Sequence, residues 1–142
     1  MTKQTRVLGI DYGEKRIGIA ISDPMKLFAQ GLDTLTPTGK KDLWRSFFAI
    51  FDEYSDIDQV VVGFPYNMDG TTGTMGEKVT EFIDQFKRRF PKIPVVCWDE
   101  RLTSQAAERT MREANRKTKG RKHEIDKLAA IFILQSYLDA QR

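Results

Sequence analysis

Cysteine and histidine are almost absent from this chain. Cys97 is the sole cysteine and His123 the sole histidine among 142 residues, which excludes an internal disulfide and a zinc site built from Cys and His. Any bound metal must therefore be held mainly by oxygen. Long apolar runs are missing too: no stretch approaches the roughly 20 apolar residues of a membrane span, and the first residues carry no apolar run of signal-peptide type. The expectation is a soluble cytoplasmic protein without a membrane partner. At this length one ordinary domain with one core is expected, spanning residues 1–142, and a two-lobed kinase or ATPase closing over its ligand is not. No linker, repeat or low-complexity segment divides it.

A strong excess of one charge is also lacking, with 23 Lys and Arg against 20 Asp and Glu. The basic residues are nevertheless unevenly placed. Residues 112–122, REANRKTKGRK, hold six basic residues against one acidic, so an anionic partner is to be sought there.

Periodicity divides the chain into elements. Residues 6–11 (RVLGID) and 16–23 (RIGIAISD) read as two strands around the turn YGEK, and residues 27–35 as a third strand at hairpin distance. Leu43, Trp44, Phe47, Phe48, Phe51 and Tyr54 recur at helical spacing over about 15 residues, an aromatic stripe assigned to the core. Residues 59–63 (QVVVG) form a short strand buried on both faces, and 64–76, rich in Gly, Asn and Asp, a loop. Val79, Phe82, Ile83, Phe86 and Phe90 mark a second helix, ended by Pro91 and Pro94. Residues 94–98 (PVVCW) read as another buried strand, with Cys97 a small core residue. Thr103 or Ser104 caps a third helix to about Ala114, and residues 124–138 form a last apolar helix. The order β-β-β-α-β-α-β-α-α predicts an α/β fold, a mixed five-stranded sheet flanked by helices.

Acids fall at the strand ends. Asp11 closes the first strand beside Gly13, Asp99 and Glu100 close the last, and Asp126 lies in the first turn of the final helix. Each has a plain structural reading: a turn-forming Asp, loop acids paired with Arg101, an acid favoured by the helix dipole. Together, however, carboxylates from three distant elements can converge on one sheet rim and suit a hard cation such as Mg²⁺ or Mn²⁺. Two such ions about 4 Å apart activate water and stabilise a leaving oxygen in phosphodiester hydrolysis. Arg16 and Arg101, next to these acids, either neutralise phosphate or pair with Asp11, Asp99 or Glu100. The segment with Arg112, Arg116, Lys117, Lys119, Arg121 and Lys122 is expected to bind the nucleic-acid backbone. Residues 67–76, with Gly70, Gly73, Gly76 and three threonines, are either a phosphate-holding donor loop or a plain loop; the Gly-Lys-Ser/Thr ending of a P-loop is missing.

Four blocks, GIDYGEKRIGIAISD (9–23), VVGFPYNMDGTTG (61–73), DERLTS (99–104) and IDKLAAIFILQSYLD (125–139), resemble in order and spacing the signature blocks of the YqgF/RuvX family. Phe64, Tyr66 and Ser104 depart from the family's commoner residues without touching the acids. The resemblance implies an RNase H-like, RuvC-like fold and a Mg²⁺- or Mn²⁺-dependent nuclease. Its substrate would be the 5′ end of the 16S ribosomal RNA precursor, with ribosomal particles as partners, or branched DNA in Holliday junction resolution. By similarity the catalytic acids are Asp11, Asp126 and one of the pair Asp99 and Glu100, with Glu100 favoured because the family's triad is written Asp-Glu-Asp. Two rivals remain on sequence: a non-catalytic nucleic-acid-binding module, and an actin-like phosphotransferase, for which a second Asp-x-Gly strand start is missing.

Overall fold

Val7, Leu8 and Ile10 are all buried, as a strand covered on both faces requires, and they form the middle of the sheet. The computed structural model describes residues 4–103, 109, 110, 113 and 122–142. Its elements are β1 (Arg6–Asp11), β2 (Gly18–Ser22), β3 (Ala29–Gly31), α1 (Lys40–Glu53), β4 (Ile57–Phe64), α2 (Thr74–Arg89), β5 (Val95–Asp99), a 3-10 turn (Glu100–Leu102) and α3 (Lys122–Ala140). The five strands are ordered β3-β2-β1-β4-β5. β2 is antiparallel to both β1 and β3, whereas β4 is parallel to both β1 and β5. This is the mixed five-stranded sheet expected from the sequence.

The period of two along the strands sorts their side chains onto two faces. Leu8, Ile10, Ile19, Ile21, Val60 and Val62 meet Trp44 and Phe47 of α1 and Val79, Phe82, Ile83 and Phe86 of α2. Phe86 is fully buried at the centre of an aromatic cluster, edge-on to Phe47 at 5.5 Å between ring centroids and 4.8 Å from Phe90. On the other face Val7, Ala20 and Val61 pack beneath Ala130, Ile133, Leu134, Tyr137 and Leu138 of α3. Among the described residues no helix is long and apolar enough to cross a membrane.

Three expectations change. The third strand shrinks from residues 27–35 to Ala29–Gly31, because the Asp23 carboxylate accepts hydrogen bonds from the backbone N–H groups of Met25, Leu27 and Phe28 and bends that segment into a turn. β5 lies at the edge of the sheet rather than inside it; Cys97 is accordingly exposed and not a core residue. The last helix starts at Lys122, not at Glu124, which moves Asp126 out of the first turn and weakens the dipole explanation for its presence. The expected helix from 104 to 114 lies largely outside the described residues.

Candidate active site

Because β1, β4 and β5 are parallel, their C-terminal ends share one rim. Asp11 ends β1, Asp99 ends β5, and Glu100 follows at once in the 3-10 turn. Two strand glycines admit the remaining pieces. Gly18 stands opposite Asp11 in the β1–β2 register, and a Cβ there would lie 2.1 Å from the Asp126 carbonyl oxygen. Only a residue without a side chain lets α3 settle so low that Asp126 arrives beside Asp11. Gly63, one residue from the end of β4, does the same for Glu100: a Cβ there would lie 2.9 Å from Glu100 Oε1 and 2.5 Å from Ile133 Cδ1.

Glu100 and Asp126 are thereby close enough to Asp11 to act on it electrostatically. Burial, then the charges of Glu100 and Asp126, push the Asp11 carboxyl up to about 7. Asp11 and Glu100 also share a hydrogen bond that pushes Asp11 further up and draws Glu100 down. Burial foremost, and the neighbouring Asp99 charge, still hold Glu100 above the usual carboxylate range. The acids approach one another without closing into a ready-made ligand set: among the described residues no group of three His, Cys, Asp or Glu side chains is so arranged. The donor set nevertheless fits a hard cation, being all oxygen, partly desolvated and repelled from within.

The two arginines behave differently. Arg101 donates from Nε to both Asp99 oxygens at 3.0 and 3.1 Å and from Nη2 to Oδ2 at 2.8 Å. Its Nη1 reaches the backbone carbonyls of Asn67 and Met68, at 3.2 and 3.5 Å, and its guanidinium lies 5.3 Å from the centroid of the Tyr66 ring. Hydrogen bonds from Arg101 hold Asp99 below the usual carboxylate range. Asp99 is thus committed to a clamp on the loop after β4, and Glu100 is the member of the pair that meets Asp11. Arg16 makes none of the pairings expected for it with Asp11, Asp99 or Glu100: its Nε donates to Asp126 Oδ2 at 2.8 Å.

The loop at 67–76 spends part of its donor capacity on itself. The Thr71 N–H and hydroxyl both bond Asp69 Oδ1, at 3.0 and 2.6 Å, and Gly70 takes a φ of 87°, the left-handed region that suits glycine in a turn. Arg112, Arg116, Lys117, Lys119 and Arg121 lie outside the described residues, and Lys122 opens α3. Gly18, Gly63 and the Tyr66 platform join the site only in the folded chain. For the glycines the sequence carries a signal: an isolated Gly in a strand marks a close approach of another chain segment.

A sheet of this order, carrying its acids at the ends of β1 and β5, defines an RNase H-like fold of the RuvC kind. RuvC from Thermus thermophilus superimposes with a TM-score of 0.59 at 14% identity, covering 96% of this chain and 97% of its own. The same protein in complex with a Holliday junction substrate gives 0.59 at 16% identity, with 96% and 95% covered. Residues 5–140 match the sequence profile described as "RuvX: Holliday junction resolvase", and the chain belongs to that family. A relative from Acetivibrio thermocellus named "Putative pre-16S rRNA nuclease" is 49% identical over 144 residues, covering 96% of both chains. One of the same name from Geobacillus kaustophilus is 47% identical over 140 residues, covering 96% of this chain and 99% of its own.

Proposed function

We propose that the protein is a metal-dependent endonuclease that hydrolyses phosphodiester bonds in structured RNA, acting at the 5′ end of the 16S ribosomal RNA precursor. One observation supports the chemistry: Asp11, Glu100 and Asp126 approach one another on one rim, where burial and like charge hold Asp11 up to about 7. A divalent cation would compensate that charge, and an all-oxygen donor set selects Mg²⁺ or Mn²⁺. When bound, such ions supply an activated water and stabilisation of the leaving oxygen. In this reading Asp11, Glu100 and Asp126 are the ligands, and Asp99 acts through Arg101 by fixing the turn that carries Glu100. The basic segment 112–122 holds the sugar-phosphate backbone, so selectivity follows the shape of the nucleic acid more than its sequence. Residues 1–142 act as a single domain, in the cytoplasm, on free precursor or on ribosomal particles.

The names of the relatives support RNA as substrate. The description of the family favours a second reading, resolution of four-way DNA junctions, which would require paired sites and hence a dimer. The purified protein, given Mg²⁺ or Mn²⁺ and offered a 16S precursor fragment beside a synthetic four-way junction, separates the two. Cleavage of the precursor supports the first reading and cleavage of the junction the second. Cleavage of neither, with binding retained, makes the protein a binding module.

A further inference from the structure

Arg16 leaves the turn after β1 one residue before Ile17, whose backbone exchanges two hydrogen bonds with Leu35, both 2.9 Å. Its main chain is therefore fixed at the rim. Among the described residues its side chain makes one hydrogen bond, from Nε to Asp126 Oδ2 at 2.8 Å, with 30% and 24% of the two side chains exposed. Arg101 makes the contrast: Asp99 and two backbone carbonyls hold its guanidinium. Among the described residues Arg16 has no second carboxylate partner, which leaves the rest of its donor fork for a phosphate.

Asp126 cannot serve both cations well. A guanidinium bonded to its Oδ2 occupies a lone pair that a metal would use and repels a dication placed beside it. A nucleic-acid backbone offers Arg16 an alternative anion at the same rim, with the planar, bidentate geometry a guanidinium favours.

We propose that Arg16 gates the acid site: it holds Asp126 in the free protein and passes to a backbone phosphate when nucleic acid binds, releasing the Asp126 carboxylate to the divalent cation. Nucleic acid and cation then bind with positive, reciprocal coupling. Arg16 is in this respect a positioning residue, and the inference rests on the reading of Asp126 as a cation ligand.

Two measurements test it, neither of which needs turnover. The first is Mn²⁺ binding to the free protein by electron paramagnetic resonance. Arg16→Gln is expected to bind Mn²⁺ about fivefold more tightly than the unaltered chain, the lower end of the usual coupling range; loss of one positive charge beside the site acts in the same direction, so a gain here is required by the gate and the second measurement distinguishes the two. The second is binding of a fluorescein-labelled RNA hairpin in EDTA. Asp126→Asn is expected to tighten it by a similar factor, roughly fivefold, by freeing Arg16, and the double variant Arg16→Gln/Asp126→Asn to lose that gain. A gain that survives in the double variant reflects only the removal of one negative charge and overturns the gate. Mn²⁺ binding by the unaltered chain with no gain in Arg16→Gln leaves the metal site standing and removes the gate alone. Failure of both proteins to bind Mn²⁺ removes the metal site and the gate with it.

Discussion

The carbonyl oxygen of Asp126 lies 2.1 Å from where the Cβ of a residue at Gly18 would begin. Position 18 thereby sets how far α3 descends onto the sheet, and with it the distance from Asp126 to Asp11. Gly18→Ala puts a methyl group against backbone, which cannot swing aside as a side chain can. The expected loss is about 1–3 kcal/mol of stability, read by urea denaturation, together with weaker Mn²⁺ binding. Gly63→Ala meets the movable ends of Ile133 and Glu100, at 2.5 and 2.9 Å, and is expected to cost less stability while still displacing Glu100.

Stability of the metal-free protein should fall as pH rises from about 4 to about 7. Folded Asp11 keeps its proton up to about 7, whereas the unfolded chain releases it near 3.8. Between those values the folded state binds more protons, so its advantage is complete below the lower value and is lost as pH rises through the upper one. The slope from this one group is at most about 1.4 kcal/mol per pH unit, and the raised Glu100 acts in the same direction. Denaturation in EDTA at several pH values measures it. Asp11→Asn is expected to flatten the profile and to be the more stable protein above pH about 7.

Asp99 and Glu100 are adjacent but face different partners, and their variants should differ in kind. Glu100→Gln is expected to abolish metal-dependent cleavage. Asp99→Asn, which weakens the Arg101 clamp while leaving Glu100 in place, should lose about 10- to 100-fold, as loss of a supporting residue does. Cleavage rates of both variants at saturating metal decide the assignment.

Phe86 is fully buried among Phe47, Phe82 and Phe90, far in function from the acid rim. Phe86→Ala is expected to cost about 3–5 kcal/mol in denaturation experiments.

How much of this was legible in the sequence depended on the range of the interactions. The sheet could be read because its rules are local: Val60, Val61 and Val62 form a run without alternation, and consecutive crossovers must be right-handed. The third strand was overestimated because Asp23 closes its turn through three backbone N–H groups, a geometry that the residues 27–35 do not advertise. Cys97 was misjudged because Val95 to Trp98 is apolar enough for a central strand, yet β5 stands at the edge. At the site the acids were visible as strand-end residues, and the pair Asp99 and Arg101 was among those expected. Nothing near Arg16 in sequence announces Asp126, a partner that only the closed fold brings to it.

The central claim, that Asp11 is a ligand of a hydrolytic metal site, is tested most directly by comparing Asp11→Asn with the unaltered protein for Mg²⁺- or Mn²⁺-dependent cleavage and for nucleic-acid binding on one substrate. The account predicts that the variant binds the nucleic acid as well as the unaltered protein and does not cleave it. Undiminished cleavage by Asp11→Asn would contradict it.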